Sequence, residues 1–495
     1  MINYRIVLRA LGSLLYIESL LLALCLCVGA LYQEDNYFAF GAPSLVSAML
    51  GYAFISLGRK AENRLSRRDG YLVVSLTWVL FSVIGMWPFL IDGCTDRPAV
   101  AFFEAMSGFT TTGSTAFADV DALPRSILFW RSISHWLGGM GIVFFTLAIL
   151  PGMSNGDQKL FSAEATGLKM GKLHPRIGTT ARWLWGLYLL FTSLCIGVLY
   201  LCGMTLFDAI NHGMTTVSTG GFSTHTDSIG WFHSPLIEVT EVCFMFLASI
   251  NFSLLYLIFF RGKLRVFWKD TELRGFVTLL VLAIGIITVI LVPQNWYELP
   301  TLSAQVDVIL TSLRRAAFNC VSLMSTTGLT TEDFMQWHPI GWIVITCIGM
   351  TGACAGSTSG GIKTIRVITA AKVMKGEFFH ALHPKGVRPI RINGMVVPHS
   401  VVRTVFAFFV LYFVILALSI CVMCCYGYPM TDCFGIAISS FSNIGPTVGR
   451  ELGPLDSWDI LPDGMLWLNA FLMLCGRLEI FSLLLPFIPS FWREQ

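Results

Sequence analysis

The sequence predicts an all-α polytopic membrane protein: two leading helices, then four copies of helix, re-entrant pore loop and helix around a pseudo-fourfold pore. Three observations carry this. Of 495 residues, 55% are hydrophobic and only 13% charged, with a mean hydropathy of +0.69, whereas an ordinary soluble chain is about a quarter charged. A short apolar segment ending in a Ser/Thr/Gly loop occurs four times, with glycines aligned at Gly113, Gly220, Gly328 and Gly445, in steps of 107, 108 and 117 residues. A regular period signals repeated architecture, and four copies suffice to surround an axis. Finally, basic and acidic connections alternate along the whole chain.

A bilayer-crossing helix needs roughly 20 mostly apolar residues. Ten stretches qualify, at about 10–32, 38–57, 71–91, 126–150, 183–204, 239–260, 275–293, 340–362, 402–426 and 465–488. The first lacks a small-residue cleavage site after it and reads as a retained span. The four glycine-bearing stretches lie between the members of the last four pairs, each too short to cross. The expected division is 1–70 (leading helices and a basic loop), then repeats at 71–182, 183–274, 275–400 and 401–495. Connections Arg59 to Arg68, Lys159 to Arg182, Arg261 to Arg274 and Lys363 to Arg403 hold 23 of the 33 Lys and Arg. The positive-inside rule puts them in the cytoplasm, with both termini inside and all four glycine loops outside. The linker 382–399 is the most polar and proline-rich. Most of the 14 cysteines sit in apolar runs, such as Cys25, Cys195, Cys243, Cys347 and Cys421. They read as small buried hydrophobes and not as metal ligands or disulfides.

Irregular backbone inside hydrocarbon survives only when buried in protein or lining a wet path. Four Ser/Thr/Gly loops at one depth satisfy that by facing one another, and their carbonyls can replace the hydration shell of an ion. Each preceding helix aims its negative carbonyl end at the axis, which favours a cation. Packing through small residues explains one such motif as well, but not four in register.

As a set, several segments resemble the Trk/Ktr/HKT superfamily of potassium transporters, and within it the bacterial Trk membrane subunits, which share the two leading helices. They are Thr-Thr-Thr-Gly-Ser (110–114), His-Trp-Leu-Gly-Gly-Met-Gly-Ile-Val (135–143), Ser-Thr-Gly-Gly-Phe-Ser-Thr (218–224), Ser-Thr-Thr-Gly-Leu-Thr (325–330), Gly-Ala-Cys-Ala-Gly-Ser-Thr-Ser-Gly-Gly-Ile-Lys (352–363) and Cys-Gly-Arg-Leu-Glu-Ile (475–480). The resemblance covers almost the full length. It implies a gated potassium-uptake pore in the bacterial inner membrane, formed by one chain and commonly paired as a homodimer. Its potassium-binding filter would comprise Thr111, Thr112, Gly113, Ser218, Thr219, Gly220, Thr326, Thr327, Gly328, Asn443, Ile444 and Gly445. A cytoplasmic nucleotide-binding regulatory subunit (TrkA-like) is the implied partner, beside the lipid bilayer. Potassium is the expected ion, with no organic cofactor, no nucleic acid and no enzymatic activity. In the family, serine at the first-loop glycine goes with sodium transport; this chain keeps Gly113.

Below the filter, the eighth span carries Gly352, Gly356, Ser357, Thr358, Ser359, Gly360 and Gly361, followed by Lys363. Each glycine costs a helix interior about 1 kcal/mol, so this span is expected to melt midway, and it alone among the closing helices. The resemblance makes it an intramembrane gate. A phosphate-loop reading fails because Ile362 separates Gly361 from Lys363, and because no strand precedes it. Arg477 lies inside the last span, where an ionisable group is costly and is functional or paired by default. An ion pair, with Glu479 or another acid, is one reading; the resemblance instead puts Arg477 in the gate, as an electrostatic barrier on the conduction path. Arg131 and His135 either snorkel or bond the nearby filter loop. Asp208 and Asp432 read as helix caps and dipole partners. A sodium-selective or sodium-coupled transporter of the same fold is the alternative. An intramembrane serine protease is remote, since Ser357 and Ser359 lack the nucleophile pattern.

Overall fold

The computed structural model describes residues 2–60, 66–141, 177–262, 264–293, 296–298, 301–386 and 389–493. Basic residues at 61–65 and 151–176, and residues 142–150 of the expected span 126–150, lie outside them. The regular structure of the described chain is helical, apart from one two-residue antiparallel pairing of Arg391–Ile392 with Met395–Val396.

The leading helices Tyr4–Leu31 and Tyr37–Leu57 form a tight hairpin. A Cβ on Gly12 would strike the Gly51 carbonyl oxygen, and the hydroxyl of Ser47 donates to the Leu15 carbonyl at 2.8 Å. Close backbone approach through small residues is how helices associate where no water drives them together. Glu34, in the connecting turn, accepts from the backbone N–H of Arg125 at 2.6 Å and of Ser126 at 3.1 Å. That carboxylate satisfies orphan N–H groups at the start of helix Arg125–Gly139 and favours its positive end.

Among the described residues, six helices are long and apolar enough to cross a membrane, or eight if each sharply bent pair is one span. The sequence led us to expect ten, with only one interrupted. The eighth is Pro339–Thr351 alone, followed by an irregular segment to Lys363 and a new helix Thr364–Leu382. Two further closing helices break, contrary to expectation. Pro235–Ala248 turns through 101° into Phe252–Phe259, and Asp463–Arg477 through 117° into Ile480–Phe487. The physical causes are local. Asn251 starts the second piece by accepting from Ser253 N at 2.8 Å. At the other break Glu479 holds φ of +55°, a left-handed conformation that stops a helix. Neither break has a glycine cluster to announce it.

The four short helices are Pro98–Phe109, Leu206–Val217, Leu302–Met324 and Met430–Ser442. The third, at 23 residues, is longer than expected; its C-terminal turns, from Phe318 on, are the buried part. Thr205, not Asp208, caps the second, taking the Asp208 N–H at 3.1 Å, and Pro429 precedes the fourth. Asp208 and Asp432 instead sit in the first turn. Of the cysteines expected to be buried, Cys25 and Cys195 are, while Cys243, Cys347 and Cys421 lie on outer helix faces.

Candidate ion-conduction site

Each short helix stops the same way. Thr111, Thr219, Thr326 and Asn443 adopt φ between +53° and +57°. The next residue's N–H reaches back to the helix: Thr112 to Ser107 O at 3.0 Å, Gly220 to Thr215 O at 2.8 Å, Thr327 to Ser322 O at 2.9 Å and Ile444 to Ser439 O at 2.9 Å. This is a Schellman cap, which normally puts glycine in the left-handed position. Threonine there costs about 1–3 kcal/mol. Asparagine tolerates it better, which accounts for the departure of the fourth loop from Thr-x-Gly.

Two residues beyond each left-handed position lies a glycine with positive φ: Gly113 (+82°), Gly221 (+87°), Gly328 (+79°) and Gly445 (+101°). The second is Gly221, one residue later than the sequence alignment expected, because Gly220 takes the capping role of Thr112 and Thr327. A Cβ on Gly113 would collide with the Gly220 carbonyl oxygen, one on Gly221 with that of Thr327, and one on Gly328 with that of Ile444. On Gly445 it would come 2.7 Å from the Thr112 oxygen. The four loops therefore touch in cyclic order, and the fourth closes on the first. Asn443 seals that seam by donating to Thr112 Oγ1 at 2.9 Å and to Met473 O at 2.9 Å. All four positive-φ glycines line one cavity that opens outward past Ser223, His225, Thr226, Asp456 and Trp458.

Behind the ring, the loop-bonding option for Arg131 and His135 is realised in a network, including a partner, Glu104, that the sequence did not reveal, and it fixes the first two loops. Arg131 and Glu104 form an ion pair at 2.8 Å with both side chains almost wholly buried. Glu104 also accepts from Ala116 N at 2.8 Å, while Arg131 donates to Thr115 Oγ1 at 2.6 Å and to Ser223 O at 3.1 Å. The His135 ring stacks on Phe222 at 4.0 Å. A buried charge pair with its other lone pairs and protons satisfied is hard to replace singly. These residues brace the loops and do not snorkel.

Below the ring, residues 352–363 double back beneath the loops. Gly352, Gly356, Gly361 and Lys363 take positive φ. Gly360 N donates to Thr326 Oγ1 at 2.6 Å, and Thr358 Oγ1 approaches Val217 O and Ala248 O at 3.3 and 3.4 Å. Ser357 Oγ lies 3.0 Å from Ser359 Oγ, and the Lys363 ammonium donates to the Ser359 carbonyl. Arg477 donates to Thr358 O at 2.6 Å and to Gly139 O at 2.8 Å, so it spans from this segment to the end of Arg125–Gly139. Glu479 turns to Arg366 at 2.6 Å, so among the described residues the alternative reading of Arg477 as the partner of Glu479 is not the arrangement found. Among the described residues, no three His, Cys, Asp or Glu side chains group to hold a metal ion.

Four helix-tip loops closed into a ring by glycine–carbonyl contacts, among helices long and apolar enough to cross a membrane, are the architecture of a membrane transport protein. The family model "TrkH: Cation transport protein" matches residues 39–494, and the chain belongs to that family. It is 33% identical over 500 residues to "Trk system potassium uptake protein TrkH" of Salmonella typhimurium, covering 99% of this chain and 100% of that one. It is 34% identical over 500 residues to "Trk system potassium uptake protein TrkG" of Escherichia coli, covering 99% of each. The crystal structure of the potassium transporter TrkH from Vibrio parahaemolyticus superposes with a TM-score of 0.88 at 32% identity, covering 99% of this chain and 100% of that one.

Proposed function

We propose that the chain takes up potassium through a gated pore whose filter is the ring at Thr111–Gly113, Ser218–Gly221, Thr326–Gly328 and Asn443–Gly445. The single observation behind this reading is the cyclic contact of each glycine with the next loop's carbonyl. Carbonyl oxygens held by four helix ends stand in for water around a weakly hydrated monovalent ion, and no carboxylate in the loop cores would trap it. The full-length likeness to named potassium-uptake proteins supports potassium as the ion. The four-repeat division, the cytoplasmic placement of both termini and of the basic loops, and a homodimer belong to the same reading. So does a nucleotide-binding partner (TrkA-like) on loops 151–182, 261–274 and 382–399.

The segment from Gly352 to Lys363, with Arg477 across it, acts as the gate. It lies directly under the third loop, and its glycines give it several backbone states of similar energy, as a switch requires. Rubidium uptake in a potassium-uptake-deficient bacterium tests the reading. Expression of the chain restores uptake, sodium competes poorly, and deleting Gly356–Gly361 makes flux constitutive without altering selectivity. Uptake of sodium in preference to rubidium would favour the sodium-selective alternative.

A further inference from the structure

The linker between Thr364–Leu382 and His399–Cys424 holds a feature that the polar, proline-rich sequence conceals. Arg391–Ile392 and Met395–Val396 pair around Asn393 (φ +49°) and Gly394 (φ +78°), the two-residue Asn-Gly turn that a tight hairpin favours. The hairpin is fastened on two sides. Asn393 accepts from Thr271 N at 2.7 Å and donates to Asp270 Oδ2 at 2.7 Å, and its own N–H reaches Thr271 Oγ1 at 3.2 Å. Lys372, on the helix that follows the gate, donates to Arg391 O at 2.7 Å.

The next residue along from that anchor is Glu272, buried in the first turn of Thr271–Leu291. Its Oε1 accepts from Ala355 N in the gate segment at 2.6 Å. The hairpin also touches the gate directly: Ile392 is 1% exposed and packs with Ala355 and Ile365 in a small apolar cluster separate from the main core. One polar and one apolar contact thus converge on Ala355, and both lead back to a hairpin whose Met395 and Val396 are exposed.

We propose that this hairpin is a latch on the gate, with Glu272 as its positioning residue. The proposal rests on the gating role given above to residues 352–363. While Asn393 holds Asp270 and Thr271 in place, Glu272 and Ile392 keep Ala355 seated and the segment stays beneath the ring. Displacing the hairpin removes both contacts at once, and the Ala355 N–H loses the acceptor that fixes it.

The test uses the purified full chain in proteoliposomes without any partner, read by rubidium uptake with sodium as competitor. Glu272→Ala and Asn393→Ala each raise basal uptake about tenfold, the scale of losing one buried hydrogen bond from one of two states. The rubidium-to-sodium preference stays the same. Glu272→Gln keeps an oxygen to accept the Ala355 N–H and rises much less, which a role resting on the negative charge alone would not give. Should Glu272→Ala fail to assemble, Asn393→Ala, a change at the half-buried turn, carries the test. Parental uptake in both alanine variants, alongside constitutive flux in the Gly356–Gly361 deletion, overturns the latch and leaves the gate standing. A deletion variant that also stays closed overturns the gate, and the latch with it.

Discussion

Arg477 Nη1 donates to the carbonyl oxygen of Thr358 at 2.6 Å, joining the end of helix Asp463–Arg477 to the segment beneath the ring. The same guanidinium reaches Gly138 and Gly139, so one planar group holds three carbonyls from two places in the fold. Arginine suits this because its fork of donors is rigid and stays charged.

From this contact, Arg477→Ala should raise flux. The substitution removes the bond that holds Thr358 in place and, on the gating role proposed above, a positive charge on the ion path. A charge-assisted hydrogen bond is worth about 1.5–3 kcal/mol, so rubidium uptake rises on the order of tenfold. Protein that fails to reach the membrane would mark Arg477 as a structural brace instead.

Selectivity should fall when any ring glycine gains a side chain. Gly113→Ser forces its Cβ against the Gly220 carbonyl and keeps a residue with a Cβ in left-handed backbone. Rubidium-to-sodium preference, read from reversal potentials, drops by roughly tenfold, as a shift of ~1.4 kcal/mol implies. Gly221→Ala has the same effect through the Thr327 carbonyl. An unchanged reversal potential in both variants would remove these glycines from the filter.

The seam between the fourth and first loops depends on the Asn443 amide. Asn443→Asp keeps the shape but loses the donors to Thr112 and Met473, leaving buried acceptors and a new charge. Unfolding in detergent should come at a lower temperature, for a cost of about 1–3 kcal/mol. A variant as stable as the parent would mean the seam is held by backbone packing alone.

Solution pH should act through His225, at the mouth of the cavity that the four glycines line. Its Nδ1 lies 2.6 Å from Asp121 Oδ1 and its Nε2 3.6 Å from Asp208 Oδ1, while its ring stacks on Trp231. Burial pulls the His225 pKa down, but the negative charges of Asp208 and Asp121, with the hydrogen bond to Asp121, outweigh it, and the value ends above the ordinary 6.5. A raised pKa means stability fully present below pH 6.5 and lost as pH climbs through the folded-state value. Thermal unfolding of the parent should therefore weaken with rising pH in that window. His225→Gln should flatten this slope, and a slope identical to the parent's would exclude His225 as its source.

Much of this was legible in the sequence because it rests on local chemistry. The Thr/Ser/Gly loops announced themselves through composition, and the cluster from Gly352 to Gly361 does break its span. What escaped depends on contacts distant in sequence or on single residues. Gly220 and Gly221 are indistinguishable in the sequence, and only the capping hydrogen bond to Thr215 decides which one joins the ring. The helix breaks at Asn251 and Glu479 rest on one residue each, too weak a signal beside apolar runs that score as spans. Glu104 and Arg131 lie 27 residues apart on different helices, and nothing local pairs them. The hairpin at Asn393 was hidden inside a stretch whose prolines and charges suggest only a linker.

The seam that closes the ring carries a lesson about biosynthesis. Asn443 and Thr112 are separated by 331 positions, so the last contact of the ring joins nearly the first loop made to the last. A ribosome adds roughly 5–20 residues per second, and throughout that interval the ring lacks at least its fourth loop. Until the fourth loop arrives, Gly328 has no Ile444 carbonyl beside it and the Thr112 carbonyl has no Gly445. A chain cut short before residue 443 should thus lack a completed ring, because two of its four contacts, Gly328 with Ile444 and Gly445 with Thr112, cannot form.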